Sequence, residues 1–326
     1  MTALTRIRCL IAALAAVLVA TSPVAAPAQS PVGLIFTAGP TGGTWTPMAA
    51  ATADVIKKRF PELDVQVEPG AALVNMEKIR NDKADIGWSM TTVLADARAG
   101  VNTWKGKQTD KPLIVANYYP NVWQLIVSID SDVRKLEDLK GKAVALPPRG
   151  NTSLAEGWEL LLKVLGLKLD DLGTKSYGSL TENGELIKNR QAVAMGWFTV
   201  VPASFVLDVG SSRKLRMVGL TEDTIKKMQA LNAGFVRHVI PKGTYSAYGI
   251  EDDVVTIQAP TILIASAKTP PDVIYKVTKA IVEGREAFGN VSSVMKGTTP
   301  QHFAESFGMP RHPGAERYYR EAGLLK

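Results

Sequence analysis

Twice in this chain a short apolar strand turns through a polar loop straight into a helix, and few folds accommodate that arrangement. The first corner runs from Leu34-Ile-Phe-Thr37 through Gly39-Pro-Thr-Gly-Gly-Thr-Trp45 into the helical pattern Met48–Lys58. The second runs from a strand ending at Leu146 through Pro147-Pro-Arg-Gly-Asn-Thr-Ser153 into a helix over Leu154–Leu165. Strand, tight loop and helix in that order describe a parallel α/β sheet, whose ligands sit outside the carboxyl ends of the strands. Backbone N–H groups at a helix N-terminus face that space and suit an anion. The plainer reading of Gly39, Gly42 and Gly43 is a tight turn and nothing more.

Between and beyond the corners the alternation continues. Asp64–Glu68 reads as a strand, Ala72–Asn81 as a helix and Ala84–Ser89 as a strand. Pro112–Asp130 is apolar and aromatic, and a crossing between two lobes is expected around Tyr118-Tyr119-Pro120. Gln191–Phe198 and Leu215–Leu220 read as strands and Pro260–Ser266 as a strand returning to the first lobe. Pro270–Val282 has prolines at its start and apolar residues at helical spacing. The expected division is a leader at 1–28, the first lobe at 29–118, the second lobe at 119–259 and a return to the first lobe at 260–326.

The leader follows from Arg6 and Arg8 ahead of the apolar run Cys9–Ala20, with Ala26-Pro27-Ala28 as small residues at a cleavage site. Its removal takes away two positive charges and no acid, so the formal charge falls from +7 to +5. Cys9, the only cysteine, goes with it, which excludes disulfides, thiol nucleophiles and thiolate metal sites from the mature chain. Lys and Arg are dispersed among acids, so no stripe for nucleic acid forms, and only a mild bias toward anionic ligands remains.

Candidate binding residues come from the corners and the neighbouring strand ends. Thr41, Gly42, Gly43, Thr44 and Trp45 belong to the first loop, and Trp45 serves equally as packing. Asn75 is either a helix cap or a ligand contact. Ser89 and Thr91 follow a strand end, where turn chemistry explains them nearly as well. Arg149, Asn151 and Ser153 form the second corner, and Arg149 suits a bidentate pair with a carboxylate or plain solvation. Trp123 and Trp197 either wall a cleft or fill a core. His238, His302 and His312 have no metal-ligand spacing, and no nucleophile elbow accompanies them.

Gly39-Pro-Thr-Gly-Gly-Thr-Trp45, Gly70-Ala-Ala-Leu-Val-Asn75, Ile240-Pro-Lys-Gly-Thr-Tyr245 and His312-Pro-Gly-Ala-Glu-Arg-Tyr-Tyr-Arg-Glu-Ala-Gly323 resemble, in order, the TAXI family of solute receptors of TRAP transporters. The resemblance implies a two-lobe type II periplasmic binding protein, α/β, with parallel-sheet lobes joined by a hinge. It implies a receptor without a cofactor, monomeric and periplasmic, that closes on a small organic anion such as glutamate or a keto or dicarboxylic acid and hands it to TRAP membrane subunits. By the same analogy the first corner gives backbone amides and the Thr44 hydroxyl to a carboxylate, with Trp45 as a wall. The chain departs from the family where Ala71-Ala72 replaces a Gly-Ser pair, where Trp45-Thr46 replaces two tyrosines, and at Asn151 and Ser153. A ligand-sensing module for a membrane signalling partner is the alternative on the same fold. An exported hydrolase or transferase is a third reading, for which no nucleophile, base or metal set can be named.

Overall fold

The structure, a computed structural model, describes residues 32–39, 44–148 and 152–325, apart from the side chains of 152–156. The leader at 1–28, Thr41, Gly42, Gly43, Arg149, Asn151 and the side chain of Ser153 lie outside the described residues.

Two sheets carry the strands. In the first, β1 (Val32–Thr37), β2 (Leu63–Glu68) and β3 (Ile86–Met90) are parallel, with α1 (Trp45–Arg59) and α2 (Ala72–Arg80) as crossovers. The second repeats the unit with β6 (Val144–Leu146), β7 (Lys175–Tyr177) and β8 (Ala194–Thr199), linked through α4 (Thr152–Val164) and α5 (Leu180–Lys188). The strand orders are β2-β1-β3 and β7-β6-β8, so each sheet presents its first strand-to-helix corner in the same place.

Contrary to the parallel-sheet lobes expected from the alternation, neither sheet is purely parallel. Next to β3 lies β12 (Thr261–Ser266), antiparallel to it and to β4 (Pro112–Tyr119). Next to β8 lies β5 (Val122–Ser128), also antiparallel, which in turn pairs with β9 (Leu215–Met217) and with the β10 (Val236–Ile240) and β11 (Val254–Gln258) pair. Each sheet thus takes one antiparallel strand from a chain that has just crossed from the other. The crossings are Pro120-Asn121 and Ala259-Pro260, and they are bonded together: Ala259 N–H donates to Asn121 O at 2.8 Å, and Asn121 Nδ2 to Ala259 O at 3.1 Å and Thr261 Oγ1 at 2.8 Å.

Both sheets are covered on both faces, which explains the near-continuous apolar strands. In β12, Leu263 and Ala265 enter the core under α1 while Ile262 and Ile264 enter the opposite core, the period of two that a pleated strand imposes. Helix α8 (Pro271–Glu283) buries Ile274, Val277, Thr278 and Ile281, the i, i+3, i+4, i+7 stripe of an amphipathic helix. It begins at prolines, which fit the first turn because no N–H is needed there. The remaining long helices are α3 (Thr91–Ala99), α6 (Ser204–Ser212), α7 (Glu222–Leu231) and α9 (Pro313–Glu321), the last of which packs on α8. Among the described residues no helix is long and apolar enough to cross a membrane.

Candidate functional site

The carboxyl ends of β3 and β8 come together across the lobes, where Met90 and Phe198 line one space with Ala259 of the second crossing. Thr44, exposed, is the residue before α1, and its side chain makes no capping bond. Trp45 packs at the margin of the first core and accepts a hydrogen bond at its carbonyl from Trp88 Nε1 at 3.0 Å. Its side chain and Thr261 also bond Tyr119, whose phenol is pushed far above its ordinary range by burial. Trp45 is therefore built into the wall at the hinge.

Asn75 is neither a cap nor a free surface amide. It is the fourth residue of α2 and has no exposure. Its Nδ2 donates to Ala38 O at 2.7 Å and Trp88 O at 2.8 Å. Its Oδ1 accepts from Thr37 Oγ1 at 2.7 Å and from Ala71 N–H at 3.1 Å. Both amide protons and both acceptor sites are thus used within the lobe. Asn75 ties the end of β1 to β3. Gly70 makes room for it, since a Cβ there would overlap Asn75 Oδ1.

The second lobe repeats this device at Gly178 and Asn183, again five residues apart. Asn183 is the fourth residue of α5, fully buried, and donates from Nδ2 to Leu146 O at 2.8 Å, at the end of β6. The donors have changed: Ala145 stands where Thr37 does, and Ser179 N–H is taken by Glu182 Oε2 at 2.7 Å. Asn183 Oδ1 has no partner among the described residues. The Gly-x4-Asn spacing at 70–75 and 178–183 was the available signal for this internal repeat.

Ser89 and Thr91 flank the end of β3 and are both fully buried. Ser89 Oγ is 3.5 Å from Ala72 O, at the limit of a hydrogen bond. Thr91 opens α3 and donates from Oγ1 to Gly234 O of the second lobe at 2.6 Å. Trp197, 9% exposed, lies in the core beneath Phe205 and Val206. The neighbouring Phe198 takes the other face of β8 and lines the space between the lobes, with Phe235 stacked on it at 5.9 Å. A shift of one residue along a strand exchanges faces, which is why the strand pattern alone did not choose between them.

That interlobe space is a cavity of about 30 Å³, lined from the first lobe by Met90, Asp96 and Trp104 and from the second by Phe198, Asn232 and Phe235. Sequence reasoning passed over Asp96, although an acid beside Val93, Leu94 and Ala97 on a buried helix face was a signal. Asp96 is 6% exposed, and its Oδ1 and Oδ2 accept from Asn232 Nδ2 at 2.8 Å and Asn102 Nδ2 at 2.9 Å. Burial raises its carboxyl above the ordinary range, against the lowering effect of the two amides. Among the described residues no three His, Asp or Glu side chains converge as a metal site requires. Of the histidines, His312 accepts from Gly314 N–H at 3.2 Å and caps α9, and His302 ties Asn117 to Tyr118 O.

Solved structures share this fold across most of their length. The phosphonate protein PhnD1 from Prochlorococcus marinus, in complex with methylphosphonate, superposes with a TM-score of 0.50 at 10% identity, covering 90% of this chain and 99% of its own. The periplasmic sulfonate-binding protein SsuA from Methylobacillus flagellatus KT gives 0.50 at 14% identity, covering 91% and 89%. At these identities the likeness establishes the two-lobe periplasmic binding-protein fold. Residues 36–323 match the NMT1-like family, and the chain belongs to it.

Proposed function

We propose that this protein is an exported solute receptor that captures a small organic anion between its lobes and delivers it to a membrane transporter. The observation that carries this reading is the pair of β-α-β-α-β units, one in each sheet, between which the chain passes at Pro120-Asn121 and Ala259-Pro260. Two lobes held by two adjacent, mutually bonded crossings form a hinge, and closing it removes water from whatever lies between.

In this reading residues 1–28 are a secretory leader and the mature chain works in the periplasm. Loop residues 41–45 and 149–153 clamp the anionic end of the solute, with helix N-termini on both sides. Neighbours of the same fold are titled for methylphosphonate and sulfonate binding, and an anionic solute is taken by analogy with them. For the transporter, the motif resemblance favours TRAP membrane subunits, and the alternative is an ABC permease, after the neighbour titled as part of a sulfonate ABC transporter.

Native mass spectrometry of freshly exported protein tests the receptor reading. A bound mass of one small solute, released on denaturation, is expected. The bare chain mass, with no uptake of amino acids, sulfonates or carboxylates added back, would contradict it.

A further inference from the structure

We propose that the solute carries a protonated amine and that Asp96 receives it in the interlobe cavity. The inference rests on the receptor reading and narrows its solute class, from organic anions in general to amino-bearing ones.

Asp96 is a buried carboxylate whose only hydrogen-bond donors among the described residues are two neutral amides, one from each lobe. None of the ion pairs among those residues includes it. Its neighbour Arg98 is turned away, to Asp110 at 3.1 Å. A carboxylate can accept about four hydrogen bonds, so acceptor sites remain on both oxygens. A buried charge is costly to keep unless a counter-charge meets it.

The cavity fits that counter-charge. Its volume of about 30 Å³ suits a group the size of one water molecule, and an ammonium group is close to that size. Trp104, Phe198 and Phe235 line it, and aromatic faces attract cations most strongly where water is excluded. Trp104, 1% exposed, also has an indole N–H with no acceptor among the described residues. A ligand amine supplies the donors and the counter-charge that Asp96 lacks.

Both lobes build the cavity, so the amine is fully enclosed only when they are together. A keto acid or plain dicarboxylate would close the lobes over a carboxylate left without a counter-charge.

The experiment is calorimetric titration of the mature chain with matched probes: L-glutamate against glutarate, L-alanine against propionate, and taurine against ethanesulfonate. At least one amine-bearing member should bind 100-fold or more tightly than its partner. In Asp96→Asn that preference should fall at least tenfold, with the amine-free partner little changed. Equal affinity within the pairs, or an Asp96→Asn variant that weakens both members alike, overturns the proposal and leaves the receptor reading standing. Binding of no probe overturns both. The wild-type ratio is informative even if a variant fails to fold.

Discussion

At the residue scale, the polar groups that matter most near the seam are those already saturated. Asn75→Ala removes four buried hydrogen bonds and strands Ala38 O and Trp88 O, so it should cost about 3 kcal/mol in urea unfolding. A loss below 1 kcal/mol would show that the amide is dispensable. Asp82 offers a pH signature. Lys111 and Lys268, each 2.7 Å from Oδ2, lower its carboxyl from 3.8 to about 2. A depressed carboxyl stabilises the fold above its unfolded value, and that contribution disappears as the pH falls from about 4 through about 2. The Tm gap between wild type and Asp82→Asn should therefore be present at pH 7 and gone near pH 2. A gap that persists there would refute the assignment. Asn75 was legible as a polar residue near the cleft but not as a strut, because its partners lie up to 38 positions away. Trp197 and Phe198 were undecidable without knowing which face of β8 each helix covers.

At the element scale, the repeated unit explains why the two corners were visible in the chain. A buried parallel strand followed by glycines or asparagine and then a helix is a local pattern, so β1 with α1 and β6 with α4 could be read directly. β9 lies within Leu215–Leu220, which reads as a strand, whereas the β10–β11 pair was harder. β10 carries the polar pattern Val-Arg-His-Val-Ile of a strand with one neighbour. The antiparallel placement of β5 and β12 follows from contacts made after a crossing, which no local window contains. Gly234 marks the tightest approach between elements of different lobes. A Cβ there would overlap the backbone of Thr91 and Thr92, which cannot rotate aside as a side chain would. Gly234→Ala should cost about 1–3 kcal/mol in denaturant unfolding. It should also raise the solution-scattering radius of gyration as the lobes part. An unchanged radius would show that the seam accommodates the methyl elsewhere.

At the scale of the whole molecule, the chain is two similar α/β lobes that share one hinge and exchange one strand each way. Thr91 Oγ1 with Gly234 O, and Asp96 with Asn232, fasten them beside that hinge. On the receptor reading, closure about the two crossings brings these contacts together. With Cys9 as the only cysteine, inside the expected leader, thiol chemistry could be set aside as an expectation. The identity of the clamp was legible only in outline, since which residues face the seam depends on how two separately folded sheets are set against each other. The most direct test is a crystal structure of the mature protein saturated with its solute. The account predicts the solute between the lobes, its anionic end within hydrogen-bond distance of both corner loops and its amine at Asp96. A solute held on one lobe alone, away from the seam, would contradict it.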